Sequence, residues 1–183
     1  MKILVCVSGA SFCELGLDLL RNLPNTNHEI YAVISKNAKL VLQKENSLEF
    51  NQNEFKSVTF FDNDDLSASI ASGSFGIEKT IIAPCSVNSL AKIANGICDT
   101  LITRAAAVAL KEQKKLILGV REMPFSPISL KQMGDLASFG VIIASPVVAN
   151  YADCKNLDDM KKFIIGKWLD TLGVENEIYK RWK

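Results

Sequence analysis

Thr80-Ile81-Ile82-Ala83-Pro84-Cys85-Ser86-Val87-Asn88-Ser89-Leu90-Ala91-Lys92-Ile93 is the stretch whose reading decides the fold. A short apolar strand over 80–83 breaks at Pro84-Cys85-Ser86, and a helix follows from Val87. A strand that passes through a hydroxyl-bearing turn into a helix N-terminus gathers several backbone N–H groups at one point. The helix dipole adds partial positive charge there, so the turn suits a phosphate. The next helix is expected over 103–112. Its middle, Ala105-Ala106-Ala107-Val108-Ala109-Leu110, is apolar all round and implies burial on every side. A strand over 116–120 then exits into Arg121-Glu122-Met123-Pro124. Two consecutive strand exits carry polar chemistry, which is where an open α/β sheet places its ligand.

The same alternation extends to both sides. Lys2-Ile3-Leu4-Val5-Cys6-Val7 reads as a central parallel strand covered on both faces. It runs through Ser8-Gly9-Ala10-Ser11 into a helix from about Phe12 to Leu23, with Leu15, Leu19, Leu20 and Leu23 on one face. This turn is neither G-x-G-x-x-G nor a Walker sequence, so it fits either a plain connection or a phosphate site. A turn over 22–27 with Pro24 precedes a strand, Ile30–Ile34, that exits into Ser35-Lys36. The helix over 37–46 carries Glu45 near its C-terminal end, where a carboxylate opposes the dipole; a solvated surface residue is the plain alternative. Val58–Phe61 is a short strand suited to the sheet's edge. Asp62, Asp64 and Asp65 lack the Ca²⁺-loop pattern and are expected to cap a helix beginning near Leu66. The small residues over 67–74 fit a linker or a close approach of backbones. A helix over 128–139 is expected to turn Leu130, Met133, Leu136 and Ala137 inward and stop at Gly140, before a buried strand over 141–144. The last long helix is Leu157–Leu172. The tail after it carries Tyr179 and Trp182, and two aromatics in so short a segment argue that it docks, with a neighbouring subunit as one candidate.

This pattern is a doubly wound parallel sheet in three α/β/α layers, and the 183 residues fit a single domain over 1–183. Hydrophobic residues at 48% and charged residues at 22% suffice for a real core, while a net charge of +1 gives no reason to expect nucleic acid or an anionic membrane. No apolar run reaches the ~18 residues of a membrane span, and Met1-Lys2 leads directly into a strand without a secretory signal, so a cytoplasmic protein is expected. The five cysteines include no C-x-x-C pair and the one histidine, His28, lies in a polar turn, so no metal site or disulfide framework is expected.

Taken together, Ser8-Gly9-Ala10-Ser11, Ser35-Lys36, Ser72-Gly73-Ser74-Phe75, Pro84-Cys85-Ser86, Thr103-Arg104-Ala105-Ala106, Leu110-Lys111-Glu112, Val120-Arg121-Glu122-Met123-Pro124 and Pro146-Val147 resemble the flavin prenyltransferases of the UbiX type, from about residue 2 to 182. The resemblance implies a flavodoxin-like Rossmann fold and a homododecamer. It also implies an enzyme that joins the dimethylallyl group of dimethylallyl phosphate to N5 and C6 of reduced FMN without a metal. The product is the prenylated FMN used by UbiD-type decarboxylases. Carried onto this chain, it assigns FMN to Gly9, Ala10, Ser11, Ser35, Ser86, Val87, Asn88, Ser89 and Arg121, and the prenyl phosphate to Lys111, Arg121, Tyr151 and Lys167. Ser11, Glu45, Glu122 and Trp182 match catalytic positions, Trp182 being the tryptophan that closes over the site.

Such residue types suit the chemistry: cations and a phenol stabilise a leaving phosphate, aromatic faces stabilise an allylic cation, and carboxylates accept protons. Two departures stand out. Phe12-Cys13 replaces the family's usual Gly-Ala, so the ring must point away from the flavin phosphate. Lys167 replaces an arginine, keeping the charge but losing the bidentate fork. The alternatives are an FMN-dependent cysteine decarboxylase of the same fold, which requires an active-site histidine, and a non-catalytic flavin carrier.

Overall fold

The computed structural model describes residues 1–23 and 27–182. Its strands are β1 (Lys2–Val7), β2 (Glu29–Ile34), β3 (Val58–Phe61), β4 (Lys79–Cys85), β5 (Lys115–Val120) and β6 (Ile142–Ile143). Its α-helices are α1 (Glu14–Asn22), α2 (Lys36–Asn46), α3 (Val87–Ala94), α4 (Leu101–Lys111), α5 (Pro127–Ser138) and α6 (Leu157–Leu172). Among the described residues the five strand pairings are all parallel, in the order β3-β2-β1-β4-β5-β6. The direction of winding reverses between β1 and β4, and ligands of such sheets bind at that reversal, outside the carboxyl ends of the strands.

Alternation along the strands builds two cores. Ile3, Val5 and Val7 of β1, with Ile81 and Ala83 of β4, pack with α1, α2 and α6. Leu4, Cys6, Ile82 and Cys85 face the other way, toward α3, α4 and α5. In Ile3–Val7 of β1, Thr80–Cys85 of β4 and Leu116–Val120 of β5, every residue but Thr80 is aliphatic, cysteine, proline or glycine, so no period-2 polar face appears: both faces are covered. Among the described residues, no helix is long and apolar enough to cross a membrane.

Several local expectations are corrected. The strand does not break at Pro84; β4 continues to Cys85 with a register shift between Ile82 and Cys85, the irregularity at which a sheet tolerates proline. The first helix starts at Glu14, because Phe12 adopts φ 71°, in the left-handed region. No helix begins near Leu66: Asp62 accepts the Asp64 N–H and Asp65 accepts the Ser67 N–H, so the acids close turns instead. Residues 67–74 are not a linker. They form two single 3₁₀ turns packed on α4, with Arg104 Nε donating to the Ala71 carbonyl at 3.0 Å. The strand expected over 141–144 shrinks to two half-buried residues at the sheet edge. In α5, Met133 and Leu136 are buried, but Leu130 is 54% exposed and Ala137 is also outside the core. In α4, Ala107 and Leu110 remain half-exposed, so burial on every side does not hold within one protomer. The expected turn over 22–27 falls in part outside the described residues.

Candidate functional site

At the β1–β4 reversal the strand exits are tied together by one hydroxyl. Ser8 is 3% exposed; its Oγ donates to the Pro84 carbonyl at 3.2 Å and accepts the Ser86 N–H at 2.8 Å. Three helices point their N-termini at the same place. Ser35 caps α2 by accepting the Ala38 N–H at 3.1 Å, Ser86 caps α3 by accepting the Ser89 N–H at 3.2 Å, and Thr100 caps α4 in a capping box with Thr103. A cavity of about 150 Å³ lies among these caps, lined by Ser8, Gly9, Asn37, Asn63, Asn88 and Lys92 as well. It is smaller than the roughly 300–1,000 Å³ of a whole small-molecule site. Its hydroxyls, amides and converging dipoles match a phosphoryl head group in chemistry and in size. Gly9 lies against α2 here, since a Cβ on it would stand 2.5 Å from the Asn37 Cβ.

The residues after Gly9 curl beneath β5. Arg121 Nε donates to the Ser11 carbonyl at 3.1 Å, and the Arg121 N–H bonds the Cys85 carbonyl at 3.1 Å. Glu45 reaches across from the end of α2 to accept the Phe12 N–H on Oε2 at 2.9 Å, which gives this carboxylate a partner that sequence reading left open. The Phe12 ring packs on the core toward α6, beneath Lys161, whose Nζ lies 6.0 Å from the ring centroid. It therefore points away from the phosphate-sized cavity. Burial pushes the Cys13 thiol up to about 12, and its Sγ sits 2.9 Å from the Ala10 carbonyl, so it behaves as a neutral packing group.

A second, more apolar region lies along α6. Tyr151 and the exposed Lys167 line a cavity of about 330 Å³ with Val147 and Val148. The Tyr151 ring also meets Trp182 edge-on at 5.5 Å, and both face a cavity of about 650 Å³ bounded by the tail. In this protomer the tail folds along its own α6.

The structure therefore gathers Gly9, Ser35, Ser86, Asn88 and Ser89 in one pocket, and joins Ser11, Arg121 and Glu45 beside it. Ala10 and Val87 fall within the same turns. Tyr151, Lys167 and Trp182 form the aromatic region. Glu122 is exposed and its Oε1 accepts the Met123 N–H. Lys111 does not join them. It ends α4, paired with Glu112 at 2.8 Å, about 15 Å along the helix from the cap that lines the pocket. Sequence reading missed Asn63 and Lys92, and it placed Ser8 in the candidate phosphate turn without giving it a role of its own. Asn63 could have been found only from the fold, since it serves the site by holding the start of α4: its carbonyl and Oδ1 accept the Leu101 and Ile102 N–H groups.

The Flavoprotein family model matches residues 1–169. The flavin prenyltransferase UbiX of Campylobacter jejuni is 54% identical over 186 aligned residues, covering 100% of this chain and 99% of that protein. The chain belongs to the UbiX flavin prenyltransferase family. The UbiX protein of Thermoplasma acidophilum is 44% identical, with full coverage of both chains. Among solved structures, a dodecameric FMN-dependent UbiX-like decarboxylase from Escherichia coli O157:H7 superposes with a TM-score of 0.96 at 36% identity, with both chains fully covered. AnUbiX, solved with FMN and dimethylallyl pyrophosphate, superposes with a TM-score of 0.94 at 33% identity, covering 100% of this chain and 97% of that one.

Proposed function

We propose that this chain transfers the dimethylallyl group of dimethylallyl phosphate to N5 and C6 of reduced FMN, and that a UbiD-type decarboxylase takes up the prenylated flavin. The observation that carries this reading is full-length identity of 54% to a flavin prenyltransferase in a chain whose strand exits form a phosphate-sized polar pocket. FMN, when bound, supplies the nucleophilic nitrogen and carbon.

The chain's own residues divide the remaining work. Ser35, Ser86 and Ser89, with the backbone around Gly9 to Ser11 and at Val87 and Asn88, hold the flavin phosphate against the helix N-termini. Arg121 fixes the Ser11 carbonyl and offers its remaining guanidinium donors to an anion. Tyr151 and Lys167 hold the prenyl phosphate, Lys167 as a point charge rather than a fork. Trp182 and Tyr151 present ring faces to an allylic cation and keep water from it. Glu45, oriented by the Phe12 amide, accepts a proton on its other oxygen, with Ser11 as the neighbouring hydroxyl. Glu122 and Lys111 are assigned to the site of an adjoining copy, because Lys111 stands at the far end of α4 from the pocket of its own protomer. An assembly like that of the dodecameric relative from Escherichia coli O157:H7 would supply such neighbours.

A cysteine decarboxylase reading lacks its histidine. His28 precedes β2, at the amino edge of the sheet, roughly 20 Å of strand from the carboxyl edge that carries the pocket. The test is anaerobic incubation of the purified protein with reduced FMN and dimethylallyl phosphate. A flavin heavier by one dimethylallyl group is the expected product; flavin binding with no mass gain would overturn the proposal in favour of a carrier.

A further inference from the structure

The α6 helix carries two residues that its own packing does not explain. Gly166 sits in the helix interior, where glycine weakens a helix. Asp170 sits in the last turn, where a carboxylate opposes the dipole. They are four residues apart, hence on one face, and the tail lies on that face. A Cβ at Gly166 would overlap the Tyr179 ring, so the glycine is the seat for that ring. Asp170 receives the rest. Arg181 approaches it through both terminal nitrogens, Nη2 to Oδ1 at 2.9 Å and Nη1 to Oδ2 at 3.0 Å. The Tyr179 hydroxyl donates to Oδ2 at 2.5 Å, and Asn176 Nδ2 to Oδ1 at 2.8 Å. Arg181 also bonds the Asn176 carbonyl at 2.8 Å, closing the network.

The network fixes what comes next in the chain. Trp182 follows Arg181 directly, and its ring meets Tyr151 at 5.5 Å. Tyr151 and Tyr179 are themselves wedged on Phe163, at 5.8 and 5.2 Å. Trp182 is otherwise 78% exposed, so little besides this arrangement holds it over the 650 Å³ cavity. The charges are durable. Burial alone would push the Asp170 carboxyl up, but the bonds from Arg181, Tyr179 and Asn176 outweigh it and hold it below the usual carboxylate range. Burial and the adjacent carboxylate push the Tyr179 phenol up to about 12, so it stays a donor.

We infer that Asp170, with Gly166 as its seat, is a positioning residue: it latches Arg181 and Tyr179 so that Trp182 and Tyr151 of the same chain form the wall against the prenyl chain. This rests on the prenyltransferase reading. The test uses the full-length protein with Asp170→Asn, Arg181→Gln and Arg181→Lys. Steady-state prenylation gives KM and kcat, a flavin titration gives FMN affinity, and acrylamide quenching of tryptophan fluorescence reports Trp182, because Trp168 is buried. Loss of a charged hydrogen bond predicts a KM for dimethylallyl phosphate raised about tenfold or more in Asp170→Asn and Arg181→Gln, with FMN affinity unchanged. Arg181→Lys recovers part of the loss. Dimethylallyl phosphate shields tryptophan from quenching in the wild type and not in the two disabled variants. Unchanged KM and shielding in those variants would overturn the latch, and so would a parallel loss of FMN affinity, which marks general damage. A wild-type protein without transferase activity sinks the prenyltransferase reading instead; the latch is then decided by shielding alone.

Discussion

A methyl group at position 9 would meet the Asn37 Cβ at 2.5 Å and the Asn37 carbonyl carbon at 3.1 Å, so the obstacle is the backbone of α2 and not a movable side-chain tip. Gly9→Ala must therefore push the first turn of α2, with its Ser35 cap, away from the pocket. Overpacking of this kind costs about 1–3 kcal/mol. We expect a lower melting temperature and a loss of FMN affinity of about tenfold or more, read from thermal unfolding and flavin titration. Undiminished FMN affinity in the folded variant would remove the turn from the flavin site. Phe12 shows the same economy of space in reverse. A bulky residue with φ 71° is a backbone outlier, yet its amide is held by Glu45 and its ring by the core and Lys161. The sequence shows the unusual Phe12-Cys13 pair, but only the contact to Glu45, 33 residues later, shows what holds it.

Among the elements, β1, β4 and α3 meet at the Ser8 hydroxyl. It serves one donor and one acceptor inside the structure, and both belong to the β4–α3 turn. Ser8→Ala strands the Ser86 N–H and removes one partner of the Pro84 carbonyl, an effect of about 1–3 kcal/mol. Urea unfolding should show a lower midpoint with an unchanged slope, together with weaker FMN binding because the cap residue Ser86 loses its anchor. A midpoint equal to the wild type would mean that water replaces the hydroxyl without cost. The strands and most helices could be read from apolar runs and hydroxyl caps, because those signals are local. The misread elements share a cause. Leu130 and Ala137 keep helical periodicity but sit outside this protomer's core, and the acids after β3 serve turns because that crossover uses 3₁₀ turns packed on α4.

For the whole molecule, a single protomer leaves Met123, Phe139, Val147 and Ile128 at least 70% exposed, an apolar load typical of a surface that other copies cover. It also leaves Lys111 at the opposite end of α4 from the pocket. Both observations fit an assembly in which copies complete one another's sites. Lys111→Ala and Arg121→Ala are each expected to be inactive alone. Co-expressed in one mixed oligomer, they should regain part of the wild-type activity, because some sites then receive Lys111 from one chain and Arg121 from another. Mixed oligomers as inactive as their parents would place Lys111 outside the site or within its own chain's site.

The order of apolar strands, hydroxyl turns and helix starts was sufficient to specify a doubly wound parallel sheet and the strand exits that line the polar pocket. Hydrophobic periodicity and capping act over a few residues, so they are written in the chain itself. Tertiary structure alone decided which distant groups meet: Ser8 with Ser86, Glu45 with Phe12, Arg121 with Ser11, and Asp170 with Arg181. Three of these contacts depend on how β1, α2, β4 and β5 stack, and the fourth on the path of the tail. Such contacts arise when strands take their places in the sheet and helices settle on its faces, and no local pattern encodes them.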